Sequence, residues 1–259
     1  MSADRPTILQ IIPELDTGGA EISAIEIAGG IVAAGGRAIV LSEGGRMEPR
    51  LASAGAELIR FPAATKNPVR LLANARRIAR LAAAEGVDLI HARSRAPAWS
   101  ALLAARRIGR PFVTTYHGAY GETNALKRAY NSVMARGDAV IANSDFTGRL
   151  IRERYGIPAD RLHVIHRGVD PDRFAPDTIS AERIATLKAR LELAPGQRVV
   201  LNAARLTGWK GQTVLVAAAG LLRARGRLGD AVIVLAGDAQ GRDGYRERLE
   251  AQIAALGLE

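Results

Sequence analysis

Short runs of branched apolar residues alternate with longer stretches of helical period from one end of this chain to the other. That alternation confines it to parallel α/β sheets, because successive parallel strands need a crossover that is usually a helix. Residues 7–12, 38–42, 57–61, 88–92, 111–116, 139–142 and 163–166 read as strands. Helices are expected over 21–34, 68–85, 97–107 and from Ser144 to Tyr155. Asn67 as cap and Pro68 in the first turn mark one helix start, and Ser144 marks another. His163 and His166 fall on one expected strand at odd spacing, facing opposite sides. Two prolines and three acidic residues over 170–177 predict a linker. After a helix over 180–193 the pattern restarts with strands at 198–202 and 231–236 and a last helix from Asp243. The expected division is a Rossmann-like domain over 1–175, then a linker helix and the first part of a second such domain over 176–259. Ligands of such sheets bind beyond the carboxyl ends of the strands.

Composition narrows the partners. The net charge of +10 favours an anionic partner, yet aromatics are only 4% and the arginines are spread over many helices. Nucleic acid is therefore not expected, since single strands want stacking platforms beside the cations. Cysteine is absent, which removes disulfides and thiolate chemistry. No His/Asp/Glu spacing suggests a metal. The opening Met1–Pro6 leads straight into a strand and no apolar run is long enough to span a bilayer, so a cytoplasmic protein is expected.

Several loops carry residues suited to chemistry. Gly18-Gly19 follows the first strand and opens a helix; it is either a tight turn or a place where backbone N–H groups meet a ligand. It lacks the G-x-G-x-x-G fingerprint of dinucleotide sites. His117 ends the strand Thr114-Thr-Tyr116, either packed or placed to bond a substrate hydroxyl. His91 ends its strand similarly and reads as structural. The stretch Leu201-Asn-Ala-Ala-Arg205-Leu-Thr-Gly-Trp-Lys210-Gly sets two cations beside a helix start, a natural seat for a diphosphate. Gly237-Asp238, with Gln240-Gly241-Arg242 after it, is either a turn or backbone on which a nucleotide lies. On the helix from Pro68, Arg70, Arg76, Arg77 and Arg80 share one sector opposite Leu71, Leu72, Ala75, Ile78 and Ala79. Such a face either meets solvent or rests on anionic lipid headgroups.

Gly18-Gly-Ala-Glu21, Thr114-Thr-Tyr-His-Gly118, Val140-Ile-Ala-Asn-Ser144, Val164-Ile-His-Arg-Gly-Val-Asp170 and Arg205-Leu-Thr-Gly-Trp-Lys-Gly211 occur in one order. Together they resemble the GT-B glycosyltransferases of family 4, two Rossmann-like domains facing a cleft. The resemblance implies a retaining, metal-independent transfer, without a cofactor, from a nucleoside-diphosphate sugar to a glycan or lipid-linked acceptor hydroxyl. Bacterial members build lipopolysaccharide, capsule, exopolysaccharide or glycolipid, and their basic N-domain helices often touch the inner membrane. By motif, Arg205 and Lys210 would hold the donor diphosphate, with Gly18 and Gly19 closing over it and Gly237 near the nucleotide. His117 would contact the donor sugar near the reacting carbon. One departure stands out: the family carries Glu-x7-Glu late in its second domain, and no two glutamates here are eight positions apart. Roughly another hundred residues would be expected of a whole second domain. The sequence therefore reads as a truncated enzyme or a non-catalytic remnant that binds acceptor or membrane. A sugar-nucleotide epimerase on the same architecture would need acid/base carboxylates, which the motifs do not offer.

Overall fold

A computed structural model describes residues 5–65, 67–239, 241 and 243–259, and all but the side chain of Arg173 among them. Gln240 and Arg242, part of the expected turn after Gly237, lie outside the described residues, as do residues 1–4 of the opening. The chain divides into two compact units, Met1–Gly168 and Val169–Glu259.

The first unit runs β1 (Thr7–Ile11), α1 (Gly19–Ala33), β2 (Arg37–Ser42), α2 (Glu48–Ser53), β3 (Glu57–Arg60), α3 (Pro68–Ala84), β4 (Leu89–Ala92), α4 (Arg95–Ile108), β5 (Phe112–Tyr116), α5 (Ala125–Asn131), β6 (Ala139–Ala142), α6 (Asp145–Tyr155) and β7 (Leu162–Val164). Its sheet has the order β3-β2-β1-β4-β5-β6-β7, and every pairing is parallel. The period of two along β2 shows why both faces fill. Ile39 and Leu41 join a core with Ile78 of α3 and Ala101 of α4, while Ala38 and Val40 join another with Ala24, Ile25 and Ala28 of α1. Each large side chain buried this way stabilises by roughly 1.5–3 kcal/mol. Strand order reverses beside β1, between β1 and β4, which opens the crevice where such sheets bind ligands.

The expected caps form. Asn67 accepts from the amides of Val69 and Arg70 at 3.0 and 3.2 Å, and Ser144 accepts from Thr147 at 3.1 Å. Two helices of the first unit have no counterpart in the sequence reading. One is α2, six residues with Pro49 in its first turn; the other is α5, seven residues capped by Asn124, which accepts from Lys127 N at 2.8 Å. Both are shorter than the span over which a helical period can be read.

One strand is corrected. β7 stops at Val164 because its partner β6 ends at Ala142, and the last ladder bond is Ile165 N to Ala142 O at 2.9 Å. His163 is therefore on the strand but His166 is beyond it, 3.2 Å from the Asp145 carboxylate, so the two do not share a strand. Leu72 is also corrected: it is 54% exposed rather than on the buried face of α3, which is made by Asn74, Ala75, Ile78, Ala79 and Ala82.

In the second unit the expected linker is partly helical, with α7 (Pro171–Phe174) and a single 3-10 turn at Pro176–Thr178. α8 (Ala181–Arg190) follows, then β8 (Val199–Ala203), α9 (Gln212–Ala224), β9 (Val232–Ala236) and α10 (Asp243–Ala255). α8 is shorter than expected; Glu192, just beyond it, takes the left-handed region at φ 52°, unfavourable for a residue with a Cβ. β8 and β9 form a parallel pair, and a small core of Leu206, Val216, Tyr245 and Leu249 sits beside them.

Candidate functional site

In the first unit four chain segments end at one place. β1 leads to Gly18 and the head of α1, β4 to Arg93, β5 to His117 and β7 to Arg167. Two cross-chain bonds tie these ends together. Arg93 donates to Ser23 Oγ on α1 at 2.6 Å, and Arg167 donates through Nη2 to His117 Nδ1 at 3.0 Å. Arg167 also lies so close to Gly19 that a Cβ there would collide with its guanidinium. Gly18 has φ 146°, which favours glycine, and its open side is filled by the Glu21 carboxylate folded back over the helix N-terminus. That carboxylate suits the positive end of the helix dipole. The space above Gly18-Gly19 is therefore taken by this protein's own charged side chains.

The charges that shift His117 are both positive. Arg93 is 2% exposed, and among the described residues neither it nor Arg167 forms an ion pair. Burial first, then the nearby Arg167 charge, pull the Arg93 guanidinium down to about 10. Burial, then Arg93 and Arg167, push the His117 imidazole down to about 3, so it is neutral at physiological pH. Two shielded nitrogens at this site, Nε of Arg93 and Nε2 of His117, have no hydrogen-bond partner among the described residues. An unmet buried polar atom costs about 1–3 kcal/mol, so each such atom calls for an explanation, a functional role among them. His91 is structural, as expected: it is buried, bonded to Thr115 Oγ1 at 2.8 Å, and held well below the usual histidine range by burial.

The second unit brings together the other expected residues. A 3-10 turn, Gly208–Lys210, runs into α9 through Gly211, whose left-handed φ of 78° reverses the chain. Gln212, fully buried, fastens the turn from inside. Its Nε2 donates to Arg205 O at 2.9 Å, and Tyr245 of α10 donates to its Oε1 at 3.2 Å. Arg205 and Lys210 thus stand at either end of a rigidly held turn at the head of α9, with Lys210 exposed. Leu206 N bonds Asp238 O at 3.1 Å, which sets Gly237-Asp238 against the same turn. A Cβ at Gly237 would strike the Ala204 carbonyl, so glycine is required there by the packing of two loops. Leu206 walls two open hollows, one reaching Trp209, Tyr245 and Arg248, the other Gly237, Asp238 and Arg246.

Residues 17–173 match the sequence profile of Glycosyltransferase Family 4. The chain belongs to that family. A D-inositol 3-phosphate glycosyltransferase of Nocardiopsis dassonvillei is 31% identical over 150 residues, 53% of this chain and 34% of that one. Another, from Salinispora tropica, is 30% identical over 68% of this chain and 40% of its own length. Among solved structures, a Rickettsia africae glycosyltransferase matches with TM-score 0.83 and 35% identity, over 98% of this chain and 66% of that one. Anabaena HepE, solved with UDP-glucose, matches with TM-score 0.81 and 27% identity over the same shares. The chain thus spans less than half of each of these curated relatives and just under two thirds of the solved neighbours. Its fold class is GT-B, with the second Rossmann-like unit represented in part.

Within this family member, sequence reasoning singled out His117, Gly18 and Gly19 but passed over Arg93 and Arg167. Each of those arginines lies just beyond a strand's carboxyl end, which was the available signal. The arginine sector of α3 holds three unencumbered members. Arg70, Arg76 and Arg80 are exposed, while the Arg77 guanidinium lies over the Phe61 ring at 5.0 Å. Among the described residues no helix is long and apolar enough to cross a membrane.

Proposed function

We propose that the chain carries out a retaining, metal-independent transfer of a sugar from a nucleoside diphosphate to a glycan or lipid-linked hydroxyl, in lipopolysaccharide, capsule, exopolysaccharide or glycolipid synthesis. The observation that supports this most is the Arg205–Lys210 turn. It sets two cations at the head of a helix, in a chain like HepE, which was solved with UDP-glucose. Two fixed cations and a helix N-terminus neutralise charge as it builds on a departing diphosphate, the role a divalent ion fills elsewhere. His117 and Gly18-Gly19 would meet the sugar, and Gly237 the nucleotide. The donor would bind as a substrate, with no cofactor. Calorimetry with UDP, GDP and their sugars tests this: Arg205→Ala and Lys210→Ala should each weaken binding at least about 10-fold, the loss of one charge-assisted bond. If no nucleoside diphosphate or its sugar binds, the reading is wrong.

The α3 face supports a cytoplasmic protein resting on the inner membrane. Arg70, Arg76 and Arg80 are accompanied on that helix by Val69 and Leu72, 76% and 54% exposed, a mixture suited to anionic headgroups. Co-sedimentation with anionic but not neutral vesicles, lost when the three arginines become glutamine, is the expected result. Membrane binding without nucleotide binding would favour a non-catalytic remnant.

A further inference from the structure

The bond between Arg167 and His117 decides which face of the imidazole is chemically active. A guanidinium has five N–H donors and no acceptor, so the ring nitrogen 3.0 Å from Arg167 Nη2 must present a lone pair. That nitrogen is Nδ1. In a neutral ring the proton then resides on Nε2, which is shielded and has no partner among the described residues. His117 is therefore an N–H donor waiting for an oxygen, and its basic nitrogen is already spent on Arg167.

The surroundings agree with this from every side. Arg93, beyond β4, and Arg167, beyond β7, both place positive charge against the ring; the other titratable groups at the site are His91 on β4, the Tyr120 hydroxyl near the His117 amide, and on α1 the Glu21 carboxylate, which lies over Gly18. No carboxylate faces the ring among the groups that shift it, so nothing favours a second proton. Gly19 completes the arrangement, since any side chain there would drive the Arg167 guanidinium off its position.

We propose that Arg167 is a positioning residue that holds His117 as the neutral Nε2–H tautomer, so that the imidazole gives a hydrogen bond to a substrate oxygen and does not take a proton. The proposal rests on the reading of His117 as part of the sugar site. It identifies the ligand group by chemistry: an oxygen with a free lone pair, a hydroxyl or ring ether of the sugar. It also means that the acceptor hydroxyl does not lose its proton to this histidine.

Two-bond nitrogen–proton correlation spectra of the full chain, labelled at histidine, read the tautomer directly. Wild type should show His117 protonated at Nε2 and free of titration from pH 5 to 8. Arg167→Met should produce a mixture of tautomers and a raised midpoint, with burial and Arg93 still holding the ring below the usual histidine value. Arg167→Lys, which keeps a charged donor, should restore the wild-type pattern and controls for folding. A wild-type ring protonated at Nδ1, a wild-type midpoint near the usual histidine value, or an Arg167→Met spectrum identical to wild type would overturn the inference. The ring assignment needs no turnover: failure to bind nucleotide would sink the proposed function without moving these signals, and a wrong tautomer would sink this inference with nucleotide binding intact.

Discussion

Corresponding strands in the two units have opposite surroundings. In the first, Leu9 and Ile11 of β1 and Ile39 and Leu41 of β2 are wholly buried under helices. In the second, Val199, Val200 and Leu201 of β8 stand 43%, 44% and 60% exposed, although the run is as apolar as any in the chain. Both strands are recognisable from branched residues alone, so strand-forming pattern and burial are separate properties. A parallel strand is stable in proportion to what covers it, and sheets of three or more strands with covered faces are needed for independent stability.

The largest expected effect tests that contrast directly. Phe112→Ala, at a fully buried β5 position, should cost about 3–5 kcal/mol, whereas Leu201→Ala should cost less than about 1 kcal/mol. Urea unfolding with amide exchange read strand by strand would show it, with β8 and β9 exchanging faster than β1, β4 and β5. Equal costs at the two positions would mean that β8 is covered in solution.

Next in size is a difference in acid sensitivity. All four histidines lie in the first unit, and the two that burial holds below their usual values are His91 and His117. An unfolded histidine takes up a proton near pH 6.5, while folded His117 resists until about 3, so the unfolded state binds more protons across that window. Stability is complete above pH 6.5 and falls as the pH drops, by at most about 1.4 kcal/mol per pH unit for each such group. Melting between pH 7 and 4.5 should therefore destabilise the first unit's amides selectively, and His117→Gln should flatten the slope. A uniform loss across both units would break the comparison.

The smallest effect concerns caps. Asn67 heads α3, which packs five residues into the core, and Ser180 heads α8, none of whose described residues is buried. Asn67→Ala should cost about 1 kcal/mol of global stability. Ser180→Ala should only fray α8, visible as a local loss of exchange protection.

Much of this was legible in the residues. The strands, the caps at Asn67 and Ser144 and the Arg205–Lys210 turn follow from local chemistry, which the chain states within a few positions. The short helices α2 and α5 depend on what they pack against, so no period announces them. The end of β7 was misjudged because its length is set by β6, which runs out at Ala142. Arg93 and Arg167 were missed for a related reason. Separated by more than seventy residues, they matter only because the sheet order carries their strand ends to the head of α1.

The closeness of Gly19 and Arg167 has a consequence for how such chains can vary. The smallest residue and one of the longest share a single volume, so the two positions are not independent. A methyl group at position 19 would suit the helix better than glycine does, yet with arginine at 167 the guanidinium tip would have to swing aside to admit it. Across related sequences the pair should covary, glycine with arginine and larger with smaller. A chain that changes one without the other would lose the orientation of a histidine fifty residues away from Arg167 in sequence.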